Sequence, residues 1–484
     1  MLAAKDNTIA ALQQEVHKLQ HQLLMAQKNL FGQKSERITD SRQNELFTIP
    51  APEIPAHIKA PIEVHSHVRR RGRQPLSDFL PRERIEYYPE TTTCGCCGKE
   101  LSRIGEEVTE EIERIPARII VREHVKVKLA CTTCRDGVKT GVIPDGVIAL
   151  EGMRPGLSLL VYLIISKYVD HLPLYRLEGM FRREGIEIAR QRMSDWLAAV
   201  VPRYFTALYQ CLQKEVLAQG YVKADETHIE VQDPEVKGKL FQGYFWTVLS
   251  PLQKLAFFRY FPSRAGAAAR ELLSGFEGLL QTDAYAGYDA VALPGSVMRV
   301  ACMAHIRRKF HEARHSAKDE CEYIVSEIRE LYRVEEEAKK LSHEERFELR
   351  QQKSAERFEK LHKYLLKLQA STLPESPLRK ALNYAISEWE PMSRYMKNGA
   401  IDIDNNSIER QIRPVAIGRK NYLFAGSHEG AERAAILYSL IASCRLNNVN
   451  PQAWLSDVMA RMHTHKITDI RELLPDRWSP AAGA

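Results

Sequence analysis

The sequence predicts a multidomain protein with an α/β domain that contains an all-helical insertion. A coiled coil, a cysteine-rich ribbon and a helical domain are predicted to precede it. Three observations support this: a heptad-spaced apolar seam near the N-terminus, two Cys-x-x-Cys motifs before residue 140, and successive strand-like runs after residue 216. With 484 residues, the chain is long enough for several units of about 100–200 residues each.

Composition narrows the class of protein. Hydrophobic residues make up 44% of the chain, which is enough to bury a core, and the net charge of +7 is compatible with a polyanionic partner without proving one. The first residues lack the apolar core of a signal peptide. The longest apolar run, 157–165, is far shorter than the about 20 residues of a membrane span. We therefore expect a soluble cytoplasmic protein without a membrane partner.

Residues 1–47 predict a coiled-coil region. Apolar residues recur there at alternating spacings of three and four, the seam of a coiled coil, at Ile9, Leu12, Val16, Leu19, Leu23, Ala26 and Leu30. One interpretation is a zipper that makes the protein a homo-oligomer. The alternative is an amphipathic helix that packs on its own domain.

Residues 48–90 predict a linker followed by a basic arm. Four prolines in 48–61 disfavour regular structure. The arginines that follow surround Gly72 and are Arg69, Arg70, Arg71 and Arg73. Such a segment can lie in a narrow A·T-rich minor groove of DNA. The alternative is an ordinary solvated basic loop.

Residues 91–145 predict a zinc-binding module. The two motifs supply four thiolates, those of Cys94, Cys97, Cys131 and Cys134. Tetrahedral zinc takes such a set, and a closed four-thiolate site is structural because no position is left for water. Two strand-like runs, EVTEEIERIP and RIIVREHVKVKLAC, separate the motifs. Cys96 is an alternative ligand or a spare thiol, and four reduced structural cysteines are the alternative to a metal site.

Residues 146–215 carry helical patterns and predict a helical domain. The pattern from Tyr175 to Leu197 breaks at Gly185 and is similar to a helix-turn-helix, a DNA-binding motif. In that interpretation Gln191, Arg192 and Ser194 lie near the start of the recognition helix. A plain helical linker domain explains the pattern equally well.

From residue 216 the pattern changes to strands. The runs YVKADETHIEVQ, FQGYFWTVLS and KLAFFRYF are followed by a helix, the strands GLLQTDA and MRVACM, and a basic helix. This order predicts a mixed sheet with helices on its faces, which begins in 216–310. Residues 311–400 are highly charged and helical without a strand pattern, so we interpret them as an insertion. The sheet domain resumes in 401–440, and a helical element fills 441–484.

Three acidic residues stand out within this domain. Asp225 lies among apolar neighbours in the middle of a strand, Asp283 ends another strand, and Glu409 begins a helix. An unpaired buried charge is costly, so these positions need a reason. Adjacent strands and a packed helix could bring the three carboxylates together around two Mg²⁺ or Mn²⁺ ions, and their spacing suits a ribonuclease H-like sheet. The alternative is that each is a surface or salt-bridged residue.

Residues around the acids have separate interpretations. Glu226 follows Asp225 on a strand and should point to the opposite face. Asp402 and Asp404 are expected to cap the helix of Glu409. His305 either contacts DNA, positions the acidic residues, or has a purely structural role.

Basic residues flank the acids in two groups. They are Arg307, Arg308 and Lys309 before the predicted insertion, and Arg413, Arg419 and Lys420 after Glu409. These cations could hold a DNA backbone without reading its sequence. For Arg413 the alternative is an ion pair with Glu409, four residues away on the same helix.

Several long segments resemble one known family in family order. They are LFGQKSERI, SKYVDHLPLYRLEGMFRREGIEI, ADETHIEV, TDAYAGYD, CMAHIRRKF, DNNSIERQIRPVAIGRKNYLFAGS and ERAAILYSLIASCRLNNVNP. From about residue 30 to its C-terminus, the chain resembles the transposases of the insertion sequence 66 family.

The resemblance implies a DDE transposase with an N-terminal zipper, a zinc module, a catalytic domain with an insertion and a C-terminal element. By motif position its acidic triad falls on Asp225, Asp283 and Glu409, and its zinc ligands are the four motif cysteines. It implies strand cleavage at transposon ends and joining to target DNA in a bacterial cytoplasm, at the nucleoid, with helper proteins from the same element. The alternatives are a zinc-containing DNA-binding regulator with an inactive nuclease-like domain, and a nuclease that cleaves without joining.

Overall fold

The computed structural model describes residues 119–130, 138–233, 238–291 and 296–480. All of these residues belong to the second of two units of the chain, Ile119–Ala484. The predicted zipper, the basic arm at 69–73 and both cysteine motifs lie outside the described residues.

A two-stranded hairpin opens the described chain. Strand β1 (Lys128–Ala130) pairs antiparallel with β2 (Val138–Thr140). The long strand predicted over 118–131 is therefore wrong for 119–127, which form no strand and are exposed. Its apolar side chains, such as Val121 at 85% exposure, have no sheet face to pack on among the described residues. Local β propensity alone does not make a strand without such a face.

Four helices precede the main sheet. They are α1 (Leu157–Tyr168), α2 (Leu174–Arg183), α3 (Arg190–Tyr204) and α4 (Thr206–Leu217). The helix break predicted at Gly185 is confirmed, and this glycine has a φ of +84° that other residues adopt only at a cost. Buried residues of these helices join one hydrophobic cluster with the sheet, so the helices of 146–215 share a core with the strands of 216–310.

The main sheet contains three antiparallel strands followed by parallel ones. Its long strands are β3 (Tyr221–Gln232), β4 (Leu240–Ser250) and β5 (Leu255–Phe261). Its short strands are β6 (Gly278–Gln281), β7 (Val297–Val300) and β8 (Phe424–Ala425). The order is β5-β4-β3-β6-β7, with β6 parallel to both neighbours and β8 beside the end of β3. The predicted mixed sheet is confirmed, and β3 is its central strand.

Helices cover the sheet and its open edge. Helix α5 (Gly266–Leu272) joins β5 to β6, while α13 (His428–Leu446) and α14 (Pro451–Arg461) follow β8. Edge strand β5 would leave backbone N–H groups unpaired in the core. Two serines of α13 accept them: Ser439 from Phe258 at 2.8 Å and Ser443 from Ala256 at 3.1 Å. The edge is thus closed by side chains rather than by another strand.

Between β7 and β8 the chain is entirely helical. The helices are α6 (Met303–Ala313), α7 (Lys318–Glu337), α8 (His343–Lys353), α9 (Ala355–Ser371), α10 (Pro377–Ser387), α11 (Trp389–Ser393) and α12 (Asn406–Tyr422). Helices α6, α7 and α9 to α11 contribute to a second hydrophobic cluster. None of the helices in the described part of the chain combines the length and apolar character that a membrane crossing needs.

A buried arginine holds this helical region together. The guanidinium of Arg350 is fully buried and donates to both carboxylate oxygens of Glu335, at 2.8 and 2.7 Å. It also donates to the carbonyls of Tyr395, Asn398 and Ile401, at 2.7 to 2.9 Å. One side chain therefore fixes the loop that leads out of the helices toward α12.

We expect Arg350→Met to lower the free energy of unfolding by about 3–5 kcal/mol, because it leaves a buried carboxylate and three carbonyls without their donor. Lys353→Ala is the matched control on the same helix. Its ion pair with Glu337 is half exposed, so its loss should cost less than about 1 kcal/mol. Urea unfolding of both variants measures the difference, and equal losses would contradict this role of Arg350.

Candidate active site

The two aspartates lie at equivalent positions along neighbouring parallel strands, Asp225 within β3 and Asp283 two residues beyond the end of β6. In the register of β3 and β6, Lys223 is paired with Gln281, and the aspartates Asp225 and Asp283 each follow two residues later. Each carboxylate is held by a nearby backbone N–H. Oδ1 of Asp225 accepts from the next residue at 2.8 Å, and Oδ1 of Asp283 accepts from Tyr285 at 3.1 Å. Parallel strand pairing therefore brings the two acids side by side.

Glu409 reaches the same place from the first turn of α12. The start of this helix is tied to the sheet through Asn405, whose side chain donates to the carbonyl of Ala224 at 3.1 Å. The backbone N–H of Asn405 donates to the sulfur of Cys302 at 3.2 Å. The helix thus begins beside the residue that precedes Asp225 on β3.

The three acids interact through their charges. Burial raises the pKa of Asp225 well above its usual range, and the carboxylates of Glu226, Asp283 and Glu409 raise it further. The carboxylates of Asp283 and Glu409 therefore lie within electrostatic range of Asp225. Their all-oxygen donor set fits Mg²⁺ or Mn²⁺, and a cation would relieve the buried like charges.

The acids are not arranged as a ready-made metal cluster. Among the described residues, no three His, Cys, Asp or Glu side chains converge on a common point where an ion could sit. One oxygen of each aspartate already accepts a local backbone N–H. An ion bound by the three acids would therefore require their side chains to reorient.

Glu226 has its own set of partners. It is 3% exposed and accepts from the hydroxyl of Tyr288 at 2.8 Å and from Arg264 Nε at 2.7 Å. Its cross-strand neighbour Trp246 packs against Tyr288, so this pair defines the second face of the sheet. The alternation of the strand predicted this orientation, but no sequence pattern identified Arg264 or Tyr288 as partners.

His305 lies beside Glu409. Its Nε2 is 4.0 Å from Oε1 of Glu409, and burial followed by the charge of Arg308 lowers the pKa of the imidazole. Cys302 at the start of α6 is buried, and burial raises the pKa of its thiol to about 12. Cys302 therefore serves as a neutral acceptor for the chain before α12, while His305 adjoins the acidic site.

The expected cap of α12 by Asp402 is wrong. Oδ2 of Asp402 instead accepts from Lys223 at 2.7 Å, because that buried ammonium needs an anion. Asp404 accepts from the backbone N–H of Asn406 at 3.0 Å, in the first turn of the helix. The residue at the N-cap is Asn405, and its side chain makes no capping bond.

The predicted DNA-contacting cations differ in their surroundings. Arg308, Lys309, Arg413 and Lys420 are exposed, and Arg307 is half-buried. Arg419 donates to the hydroxyl of Thr227 at 2.8 Å and to the carbonyl of His228 at 2.6 Å, so it attaches α12 to β3. Contact of these six residues with DNA stays a prediction.

The role of α3 as a DNA recognition helix also stays a prediction. Gln191 donates to Asp195 at 2.9 Å within the helix. Arg192 lines a surface cavity of about 280 Å³ together with Arg182 and the acidic Glu178 and Glu187. The mixed charge of this cavity does not by itself favour phosphate binding.

Comparison with known families matches most of the chain to transposase models. The model described as Transposase IS66 family matches residues 152–433, and the IS66 C-terminal element matches 439–475. The zinc-finger binding domain of transposase IS66 matches 91–135. The model described as Transposase C of IS166 homeodomain matches 18–85.

Relatives from Sinorhizobium fredii (strain NBRC 101917 / NGR234) cover nearly the whole chain. The uncharacterized protein y4hP is 32% identical over 98% of this chain and 90% of its own length. The uncharacterized protein y4jD is 33% identical, with 84% of each chain covered. The uncharacterized protein y4qI is 31% identical over 95% of this chain and 88% of its own. No solved structure matches the chain.

In metal-free protein at neutral pH, we expect Asp225→Asn to unfold at a higher temperature than the wild type. The folded state raises the pKa of Asp225, so ionising this carboxyl destabilises the fold. The wild type is most stable while Asp225 is protonated. It loses stability as pH rises from the pKa of this group in the unfolded state, about 3.9, through its pKa in the folded state.

Thermal unfolding in magnesium-free buffer between pH 4 and pH 8 measures the effect. The two proteins should converge at the acidic end and separate toward neutral pH. A wild type that is as stable as the variant at neutral pH would contradict the buried, repelled carboxylate.

Proposed function

Because this chain belongs to the IS66 transposase family, we propose that it cleaves DNA strands at transposon ends and joins the freed 3′ ends to target DNA. The observation that carries the proposal is the electrostatic interaction of Asp225, within β3, with Asp283, just beyond the end of the adjacent β6, and with Glu409. The three residues would be the metal-binding carboxylates of a DDE active site.

We propose a ribonuclease H-like fold for the catalytic domain. The support is a sheet of three antiparallel strands continued by two parallel ones, with the first acid on the central strand. The second acid follows the neighbouring parallel strand, and the glutamate comes from a helix. Helices α7 to α11 would then form an insertion between the core helix α6 and the helix of Glu409.

The residues of the chain have distinct roles in this proposal. Two Mg²⁺ or Mn²⁺ ions bound by the triad would activate the attacking water or 3′-hydroxyl and stabilise the leaving oxygen. Asp225 would supply a ligand from β3, Asp283 one from just beyond β6, and Glu409 one from α12. Glu226, held by Arg264, adds negative charge behind Asp225. Burial lowers the pKa of His305, whose imidazole lies beside Glu409.

DNA is the partner that the family implies, and the exposed cations suit its backbone. Arg308, Lys309, Arg413 and Lys420 are exposed on the two helices that carry His305 and Glu409. We further propose that the N-terminal zipper pairs two copies so that both element ends are held. Helper proteins from the same element would complete the reaction.

Asp225→Asn is expected to abolish Mg²⁺-dependent nicking of labelled element ends and to leave DNA binding near that of the wild type. The substitution removes a ligand charge without changing side-chain size. Asp289→Asn is the matched control, because this exposed aspartate lies just beyond Asp283 and outside the triad. Nicking assays and gel-shift titrations measure both properties.

Equal nicking by Asp225→Asn would overturn the triad. DNA binding without any nicking by the wild type would instead favour a DNA-binding regulator with an inactive nuclease-like domain.

We expect one zinc per chain, bound by Cys94, Cys97, Cys131 and Cys134 in the segment that matches the zinc-finger model. Cys131→Ser should lose the metal, because only three thiolates remain. Cys96→Ser is the control and should retain it. Elemental analysis of freshly purified protein measures the content, and zinc loss in the Cys96 variant alone would reassign the ligand set.

A further inference from the structure

Lys223 places a positive charge in the protein interior, two residues before Asp225 on β3. Its side chain is 0% exposed. Residues two apart on a strand share one face of the sheet, so Lys223 and Asp225 face the same side. An ammonium at such a position requires charged or hydrogen-bonding partners.

The partners of Lys223 belong to the segment that leads into the helix of Glu409. Its Nζ donates to Oδ2 of Asp402 at 2.7 Å and to the backbone carbonyl of Asp404 at 2.8 Å. Two hydrogen bonds therefore join the strand of Asp225 directly to the chain just before Glu409.

Asp402 is held from other directions as well. Its backbone N–H donates to the hydroxyl of Tyr221 at 3.2 Å, and its carbonyl accepts from Gln281 at 2.9 Å. Tyr221 in turn donates to Gln281 at 2.6 Å. Arg346 of α8 lies 3.4 Å from the second carboxylate oxygen. Strands β3 and β6 and the helical region thus all meet at Asp402.

The helix of Glu409 depends on this segment for its position. Its N-cap residue Asn405 provides no side-chain cap. Asp404 instead accepts from the backbone N–H of Asn406 at 3.0 Å and from the hydroxyl of Tyr332 at 2.9 Å. A shift of Asp402 or Asp404 would therefore move the first turn of α12, which carries Glu409.

We propose that Lys223 is a positioning residue that sets the separation of Glu409 from Asp225. Its buried ammonium fixes the segment Asp402–Asp404 against β3, so that both carboxylates can share one metal ion. This role rests on the proposed metal-dependent function of the triad. Lys223 contacts neither the metal nor DNA and acts through Asp402 and Asp404.

The test uses the full-length protein without DNA. In Lys223→Met we expect amide hydrogen exchange across 402–410 to become faster. We expect Mn²⁺ affinity, followed by electron paramagnetic resonance, to fall on the order of 10- to 100-fold. Asp402→Asn is a milder second variant that keeps the side-chain shape, and it should change both measurements in the same direction.

Arg471→Met is the matched control. Arg471 is another largely buried cation with two carboxylate partners, Glu215 and Asp476, and it is not bonded to the segment before Glu409. Its loss should lower the unfolding temperature and leave exchange across 402–410 and Mn²⁺ affinity unchanged. The same changes in this control would show general destabilisation and overturn the proposal.

Two further outcomes separate the hypotheses. Unchanged exchange in both the Lys223 and Asp402 variants, or faster exchange with unchanged Mn²⁺ affinity, would overturn the positioning role alone. Mn²⁺ binding that is insensitive to Asp225→Asn in the same assay would overturn the proposed function, and this role of Lys223 with it.

Discussion

A carboxylate on the central strand of a covered sheet is costly to ionise, and at Asp225 the charges of Asp283 and Glu409 add to that cost. The surrounding structure tolerates the repulsion rather than removing it. Backbone N–H groups support each aspartate, and parallel pairing of β3 and β6 fixes the two residues side by side. Under the proposed function, a divalent cation converts the same repulsion into a binding site.

The third carboxylate, that of Glu409, must be positioned in a different way, because it follows a long helical region in the sequence. That region packs around a second hydrophobic cluster, which also includes Tyr221 of β3 and Val300 of β7. Polar contacts complete the connection between this region and the sheet. Arg350 holds the loop that leaves the helices, and Lys223 holds the next stretch of that loop against β3. The helices therefore act as a scaffold for Glu409 in addition to separating two parts of the sheet domain.

The sequence predicted the parts of this arrangement that local patterns encode. Alternating and helical periodicities gave the order of strands and helices, and acids in apolar surroundings marked Asp225 and Asp283. Local patterns do not predict contacts between side chains that are far apart in the sequence. Lys223 and Asp402 are 179 residues apart in the sequence, and the hydrogen bond from Arg419 to β3 joins residues with a similar sequence separation. Helix-start statistics favoured a capping role for Asp402, but the need of a buried ammonium for an anion decided its partner.

Anomalous diffraction from crystals grown with Mn²⁺ in place of Mg²⁺ and bound to element-end DNA tests the central claim most directly. We expect manganese peaks within coordination distance of the carboxylates of Asp225, Asp283 and Glu409, with the cleaved phosphodiester beside them. Manganese bound elsewhere, or an end complex in which these three carboxylates hold no metal, would contradict it.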